Sequence, residues 1–221
     1  MNEVELFRVR IALIQSYLME HDYDGILLSR VDNYAMATGG KRNYVSISSD
    51  LGANALFVTK DGQVYCVANS IEAPRQMDEE LAPLDCECHD FLWFDDTAAD
   101  VAAREFSGTL VSDDGSLGPN VNADLAVLRA LLTPDELEKY RRLGALAAEV
   151  MTATLAAIKP GMAEADIAAR FVAEAAKRRC LAPVALVAAD DRIARFRHPL
   201  PTEAPLLDGA MEECGVNQYV M

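Results

Sequence analysis

The chain has 221 residues, of which 51% are apolar, and a formal net charge of −15. This length allows one large domain or two small ones. No run approaches the ~20 apolar residues that span a membrane, and charges interrupt the N-terminal apolar positions, unlike the centre of a signal peptide. We therefore expect a cytoplasmic protein without a membrane partner.

The charge is unevenly distributed along the chain. Residues 1–132 carry 9 Lys and Arg against 22 Asp and Glu, or −13, whereas residues 133–221 carry 11 against 13, or −2. An acidic surface repels phosphate groups, which argues against nucleic acid as a partner. The step in charge also predicts a domain boundary near residue 132.

Predicted helices and strands alternate through the first 132 residues. An amphipathic helix over residues 4–18 leads into the strand "DGILLSR", a helix or turn in "VDNYAMATGG", and a hairpin around Lys60-Asp61-Gly62. A helix starting at Ser70, the strand "LDCECHDFLWF", a helix from Thr97 to Gly108, the strand "TLVSDD" and the loop "GSLGPNVN" follow. This order predicts an α/β domain with a mixed sheet.

The pattern changes at residue 133. Thr133 as N-cap, Pro134 and Glu136 predict the start of a helix of about 25 residues that stops before Pro160-Gly161. "MAEADIAARFVAEAAKRRC" predicts a second helix and "LAPVALVAADD" a strand. We therefore predict a second domain over residues 133–221.

The five cysteines include the cluster "CECH", residues 86–89. On a strand, Cys86 and Cys88 point to one face and His89 to the other. Two readings remain, a metal site and thiols buried in a strand. The second is favoured because no second pair of ligands follows, as a structural zinc site requires.

His198, in "RFRHPLPTE", is the candidate site residue of the second half. Pro199 and Pro201 exclude a helix and predict a stiff, extended segment that holds the imidazole in a fixed direction. The alternative is a surface loop whose prolines only end a strand. Asp190-Asp191 nearby is interpreted as part of a solvated set of ion pairs, because adjacent strand residues point to opposite faces.

Several segments together resemble the creatinase, prolidase and aminopeptidase P group of metallopeptidases. They are "DGILLSRVDNYAMATG", the hairpin "ALFVTKDGQVYCVANSIEA", "LTPDELEKYRRLGALAAEVM", "IKPGMAEADIAARF" and "RFRHPLPTE". The resemblance covers residues 4–205. It implies a creatinase-like N-terminal domain over residues 1–132, followed by the beginning of a partial α+β "pita-bread" catalytic domain over residues 133–221.

The resemblance also implies an activity, cleavage of an X-Pro bond by two divalent ions of the manganese, cobalt or zinc type. In this family a histidine ahead of the metal ligands contacts the substrate, and His198 matches it. The ligands are two aspartates, a histidine and two glutamates, all following that histidine. After Glu203 the sequence has only Asp208, Glu212 and Glu213, so we expect no metal in this chain and interpret it as truncated and inactive.

Two kinds of partner follow from the resemblance. A complete site would bind a proline-containing peptide. Without enzymatic activity, the chain would be a dimerisation, regulatory or peptide-binding module. Half of a pita-bread domain would expose the helix faces around Leu143, Val150, Leu155, Ile167 and Phe171 unless dimerisation buries them. This predicts either a homodimer or other self-association, or a partly disordered C-terminal region.

Overall fold

The computed structural model describes residues 1–218, with side chains as far as residue 209. The chain forms two compact units, one of residues 1–132 and one that begins at Thr133. No helix within the described residues has the length and apolar character needed to span a bilayer.

A five-stranded mixed sheet forms the centre of the first unit. Its strands are β1 (Gly25–Arg30), β2 (Leu51–Thr59), β3 (Val64–Asn69), β4 (Glu87–Phe91) and β5 (Leu110–Ser112). Their order across the sheet is β4-β3-β2-β1-β5. The central strands β1, β2 and β3 pair antiparallel, whereas β5 joins β1 and β4 joins β3 in parallel. The predicted mixed α/β architecture and the hairpin between β2 and β3 are confirmed.

Five helices accompany this sheet. They are α1 (Glu3–Glu20), α2 (Val31–Thr38), α3 (Ala73–Arg75), α4 (Ala98–Glu105) and α5 (Asn122–Ala130). Thr97 caps α4 in a reciprocal capping box with Asp100, as its position predicts. The helix predicted from Ser70 is wrong in its start and shape. α3 begins at Ala73, beside Pro74, and continues as a π-helical turn over Gln76–Glu80.

Helix α5 is absent from the sequence-based prediction. Leu125 is fully buried and Leu128 partly buried against the same apolar cluster as Val121, whereas Val127 is 65% exposed. These three residues, Val121, Leu125 and Leu128, follow the i, i+4, i+7 spacing of a helix, a signal that the sequence analysis missed after the loop "GSLGPNVN".

The core of the first unit lies on both faces of the sheet. On β1, Ile26 and Leu28 contact one apolar cluster that includes Ile14 of α1, whereas Leu27 contacts the other, with Val101 of α4. This alternation follows from the two-residue period of a strand. Burying each such side chain contributes about 1.5–3 kcal/mol to folding.

Within residues 133–218, the second unit contains three helices and a two-stranded sheet. They are α6 (Pro134–Leu155), α7 (Glu164–Lys177), β6 (Cys180–Ala189), α8 (Asp191–Arg195) and β7 (Ala210–Gln218). Thr133 caps α6 in the predicted capping box with Glu136. The helix has 22 residues and ends before the expected Lys159-Pro160-Gly161 stop.

The prediction of an exposed apolar patch on these helices is wrong for most of its residues. Val150, Ile167 and Phe171 are fully buried, and Leu143 is partly buried, whereas Leu155 is 52% exposed. Contacts among α6, α7 and β6 bury the helix faces within the unit itself. The buried faces therefore no longer supply the reason for expecting self-association.

The tail, which contains three acidic residues, forms strand β7 and pairs antiparallel with β6 from Ala210 to Gln218. Backbone hydrogen bonds form a ladder whatever the side chains are, so an acidic segment can be a strand. Asp190 and Asp191 lie beyond the end of β6, so the argument that they sit on opposite faces of a strand does not apply.

Candidate functional site

His198 lies in a bend that connects the short helix α8 with an extended segment beginning at Pro199. Its side chain is exposed, whereas Pro199 next to it is buried. The Pro199 carbonyl accepts a hydrogen bond from the Val187 amide of β6 at 3.2 Å. The imidazole is therefore open to a ligand while the adjoining backbone is fixed to a strand.

The segment after His198 is held by a buried carboxylate, Glu164, in the first turn of α7. Oε2 of Glu164 accepts hydrogen bonds from the Thr202 amide at 2.9 Å and the Thr202 hydroxyl at 2.7 Å. Oε1 accepts bonds from the Ala189 amide and from Arg192 Nε, both at 2.8 Å. One carboxylate thus connects α7, the end of β6, α8 and the segment carrying His198.

Arg192 provides a second connection to this segment. While its Nε pairs with Glu164, its Nη2 donates to the Leu200 carbonyl at 3.0 Å. The guanidinium also lies 5.0 Å from the centre of the Phe196 ring. Arg192 and Glu164 therefore fix the backbone that follows His198.

A second carboxylate, Asp190, holds the turn that leads into β7. Its oxygens accept hydrogen bonds from the amides of Leu207, Asp208 and Gly209 at 2.8–2.9 Å. Asp190 adopts φ 51° and ψ −122°, a backbone conformation that is costly for a residue with a side chain. The three hydrogen bonds to its carboxylate help to stabilise this backbone conformation.

The hydrogen bonds change the acidity of both carboxyl groups. Burial raises the pKa of Glu164. Hydrogen bonds from Thr202, Ala189 and Arg192 lower it by more than burial raises it, so the pKa of Glu164 lies below its usual value. The amides of Gly209, Asp208 and Leu207 lower the pKa of Asp190. Both groups are therefore ionised at neutral pH and already hydrogen-bonded by protein N–H and O–H groups.

These residues do not fit a dinuclear metal centre. Such a centre needs several carboxylate or imidazole ligands directed at the same point. Among the residues whose side chains are described, no three His, Cys, Asp or Glu side chains converge in this way. The lone pairs of Glu164 and Asp190 face N–H and O–H donors, so these two acids position the backbone.

The cluster "CECH" separates as its spacing predicts. His89 packs against the rings of Tyr65 and Phe106, at 5.1 and 5.7 Å, whereas Cys86 and Cys88 belong to the opposite face. Cys88 is exposed, contrary to the expectation of buried thiols, because β4 is an edge strand.

Sequence reasoning singled out His198 and missed Glu164, Arg192 and Thr202. A signal for Glu164 exists in the spacing. It lies three and seven residues before Ile167 and Phe171, which places it on the apolar face of α7. An acid in that position indicates a buried, hydrogen-bonded carboxylate.

No protein-family model matches the chain, and no curated protein sequence matches it. Solved structures do. An X-Pro aminopeptidase from Thermotoga maritima superposes with a TM-score of 0.71 at 15% identity, over 95% of this chain and 61% of that protein. The prolidase from Pyrococcus horikoshii gives 0.71 at 12% identity, over 94% and 60%, and an Xaa-Pro dipeptidase from Bacillus anthracis gives 0.66 at 16%, over 96% and 61%.

This chain thus spans about three fifths of the length of those proteins, and at such low identity the likeness concerns the fold. Over most of its length, the chain is structurally similar to prolidases, Xaa-Pro dipeptidases and X-Pro aminopeptidases.

Proposed function

We propose that the chain is a homologue of X-Pro peptidases whose second unit presents His198 to a proline-containing peptide. In this proposal residues 1–132 are the creatinase-like N-terminal domain, and residues 133–221 are part of the pita-bread domain. The fold shared with prolidases and X-Pro aminopeptidases supports the assignment.

One observation carries the role of His198, an exposed imidazole that directly precedes a backbone segment fixed by hydrogen bonds. The buried Glu164 binds Thr202 and Arg192, and Arg192 binds the Leu200 carbonyl, so the segment is ordered before any ligand arrives. A ligand that hydrogen-bonds to the imidazole then orders little additional chain, which favours binding.

We further propose that the chain alone does not hydrolyse X-Pro bonds. The acids nearest the His198 segment, Glu164 and Asp190, are committed to backbone positioning. A complete dinuclear centre would need ligands other than the described side chains.

The test uses the three histidines of the chain as internal reporters. Titration with the dipeptide Ala-Pro should shift the imidazole NMR signals of His198. The signals of His21, which contacts the Tyr17 carbonyl, and of His89, packed on Tyr65, should not move. His198→Ala should weaken binding about tenfold, or about 1.4 kcal/mol, whereas the matched variant His21→Ala should bind normally.

Two results would overturn these proposals separately. Unchanged His198 signals at saturating Ala-Pro would remove its role as a peptide contact. Stoichiometric uptake of two manganese or cobalt ions together with Ala-Pro cleavage by the purified chain would refute the absence of hydrolysis.

A second candidate function, assembly with another copy of the chain, is favoured by an exposed apolar cluster after β4. Leu92, Trp93 and Phe94 are 48%, 62% and 65% exposed, and the two aromatic rings stack edge to face with their centres 5.6 Å apart. Contiguous exposed aromatic side chains are typical of protein interfaces. Light scattering should give the mass of a dimer for the native chain and of a monomer for Trp93→Ser; a native monomer at all concentrations would refute assembly.

A further inference from the structure

Three of the cysteines in the first unit lie close together where β3 meets the edge strand β4. Cys66 of β3 and Cys88 of β4 are direct partners in the parallel register, and Cys86 precedes β4 by one residue. All three are free thiols. We propose that Cys88 and Cys66 form a peroxide-reactive dithiol, in which Cys88 is oxidised first and Cys66 then closes a disulfide between the two strands.

The register places the two thiols within reach of each other. Paired residues on adjacent strands lie roughly 5 Å apart, and their side chains project from the same face of the sheet. This separation is inside the ~4.4–6.8 Å range of Cα distances found in disulfides. By contrast, Cys86 and Cys88 are two residues apart along an extended chain, roughly 6.6 Å, near the upper limit of that range.

Cys88 and Cys66 differ in solvent exposure, and this difference gives their sulfur atoms different roles in the oxidation. Cys88 is exposed because β4 has no neighbour on its outer side, so a small oxidant reaches its sulfur. Cys66 is 0% exposed and packs in the apolar cluster beneath the sheet, so the same oxidant does not reach it. Cys88 is therefore the sulfur that meets the oxidant, and Cys66 the sulfur that resolves the product.

The local electrostatics agree with this order. The side-chain interaction with Cys66 lowers the pKa of Cys88, although burial and the neighbouring Asp90 act in the opposite direction. The same interaction, together with burial, raises the pKa of Cys66. Burial also raises the pKa of Cys86, to about 12. Cys88 is thus the thiol of the three that is most readily ionised, and the thiolate is the reactive form.

The oxidation proceeds in two balanced steps with a hydroperoxide, here hydrogen peroxide, as the oxidant. The Cys88 thiolate attacks one peroxide oxygen and the O–O bond breaks, which gives the Cys88 sulfenic acid and hydroxide. The Cys66 sulfur then attacks the Cys88 sulfur, the S–O bond breaks, and the Cys66 proton leaves with the oxygen as water. The net change joins two thiols in one disulfide and reduces one peroxide to water.

Peptide mapping of the peroxide-treated full-length chain tests the proposal without any variant. Non-reducing mass spectrometry should find a peptide containing Cys66 linked to one containing Cys88, with the loss of two hydrogens and restoration by a reductant. A Cys86–Cys88 link, or Cys88 oxidised to the sulfinic acid with Cys66 still reduced, would overturn it.

Variants separate the two steps. In Cys66→Ser the Cys88 sulfenic acid should persist and be trapped by dimedone, whereas Cys88→Ser should leave Cys66 unmodified. Cys86→Ser is the matched control and should form the Cys66–Cys88 link at the native rate. If Cys86→Ser abolishes the link while its circular dichroism is native, the assignment of Cys66 as the resolving thiol is wrong.

Discussion

Each unit of the chain holds a buried carboxylate that accepts hydrogen bonds from distant segments, but the apolar cores around them differ in size. In the first unit, which contains two apolar clusters, Asp113 follows β5 and accepts hydrogen bonds from the Ser29 and Arg30 amides and from Asn33. In the second, the apolar clusters are small, and Glu164 connects four segments of the chain.

The acidity of the two carboxyl groups differs accordingly. Burial raises the pKa of Asp113 despite its hydrogen bonds, whereas the hydrogen bonds around Glu164 outweigh burial and lower its pKa. Apolar packing thus forms most of the core of the first unit, whereas the hydrogen bonds of Glu164 position the candidate site in the second. Four experiments test this difference.

The largest effect should come from the core of the first unit. Phe57→Ala removes a fully buried ring that stacks on Phe106 with ring centres 3.8 Å apart. We expect the free energy of unfolding to fall by about 4 kcal/mol. Urea unfolding measures the loss, and amide hydrogen exchange should place it within residues 1–132.

The matched control for Phe57→Ala is Leu92→Ala, which truncates a side chain that is 48% exposed and should change stability little. Two results would contradict a core based on apolar packing in the first unit. One is an equal fall in the free energy of unfolding in Phe57→Ala and Leu92→Ala, and the other is that Phe57→Ala reduces amide protection as much beyond Thr133 as within residues 1–132.

The next effect should come from the buried carboxylate of the second unit. Glu164→Gln leaves Arg192 without its charged acceptor and weakens the bonds to Thr202, at a cost of about 3 kcal/mol. Hydrogen exchange should show residues 199–206 losing protection before the rest of the unit.

Glu138→Gln is the corresponding control on α6. Glu138 is 73% exposed and pairs with Arg141 at 3.4 Å, an interaction worth about 0.5 kcal/mol. If Glu164→Gln were as mild as Glu138→Gln, Glu164 would not be the residue that positions the His198 segment.

Removing a helix N-cap should lower the free energy of unfolding by a smaller amount, and by the same amount in both units. Thr97 and Thr133 each cap a helix in a reciprocal capping box, with Asp100 and Glu136 respectively. Replacing either threonine by alanine should cost about 1 kcal/mol. Urea unfolding of both variants measures this, with Thr152→Ala, exposed within α6, as the control.

A loss several times larger at Thr133 than at Thr97 would show that local capping contributes differently in the two units. The contribution of a helix cap to stability would then depend on the unit that contains the helix, and the sequence alone would not predict it.

The smallest expected effect is a difference in how the stability around Glu164 and around Asp113 changes with pH. The folded pKa of Glu164 lies below its ordinary value of 4.5, so its contribution to stability is present above pH 4.5 and is lost as the pH falls below it. The folded pKa of Asp113 lies above 3.8, so its protonation on acidification favours the folded state. Acidification through this range should therefore expose residues 199–206 first.

Hydrogen exchange measured at several pH values follows both regions in one sample. The acid response of residues 199–206 should disappear in Glu164→Gln, which cannot titrate. Persistence of the response in that variant would assign it to another group.

Much of the fold follows from local sequence patterns. The short apolar run Ile26-Leu27-Leu28 after Asp24-Gly25 predicts a buried strand. Lys60-Asp61-Gly62 predicts the hairpin, and Thr133 with Glu136 predicts the start of α6. Each of these patterns depends on residues close in sequence, whose geometry is set by backbone periods and caps. Helix α5 was missed although Val121, Leu125 and Leu128 have helical spacing, because the helix is short and directly follows a loop rich in Gly, Pro and Asn.

The surroundings of the candidate site were decided by the tertiary structure. The sequence by itself identified His198 and its stiff, non-helical setting, because proline restricts the backbone locally. Glu164 lies 38 residues from Thr202 and 28 from Arg192, and Cys66 becomes the partner of Cys88 only through the pairing of β3 with β4. Such contacts depend on how distant segments pack, and no local spacing encodes them.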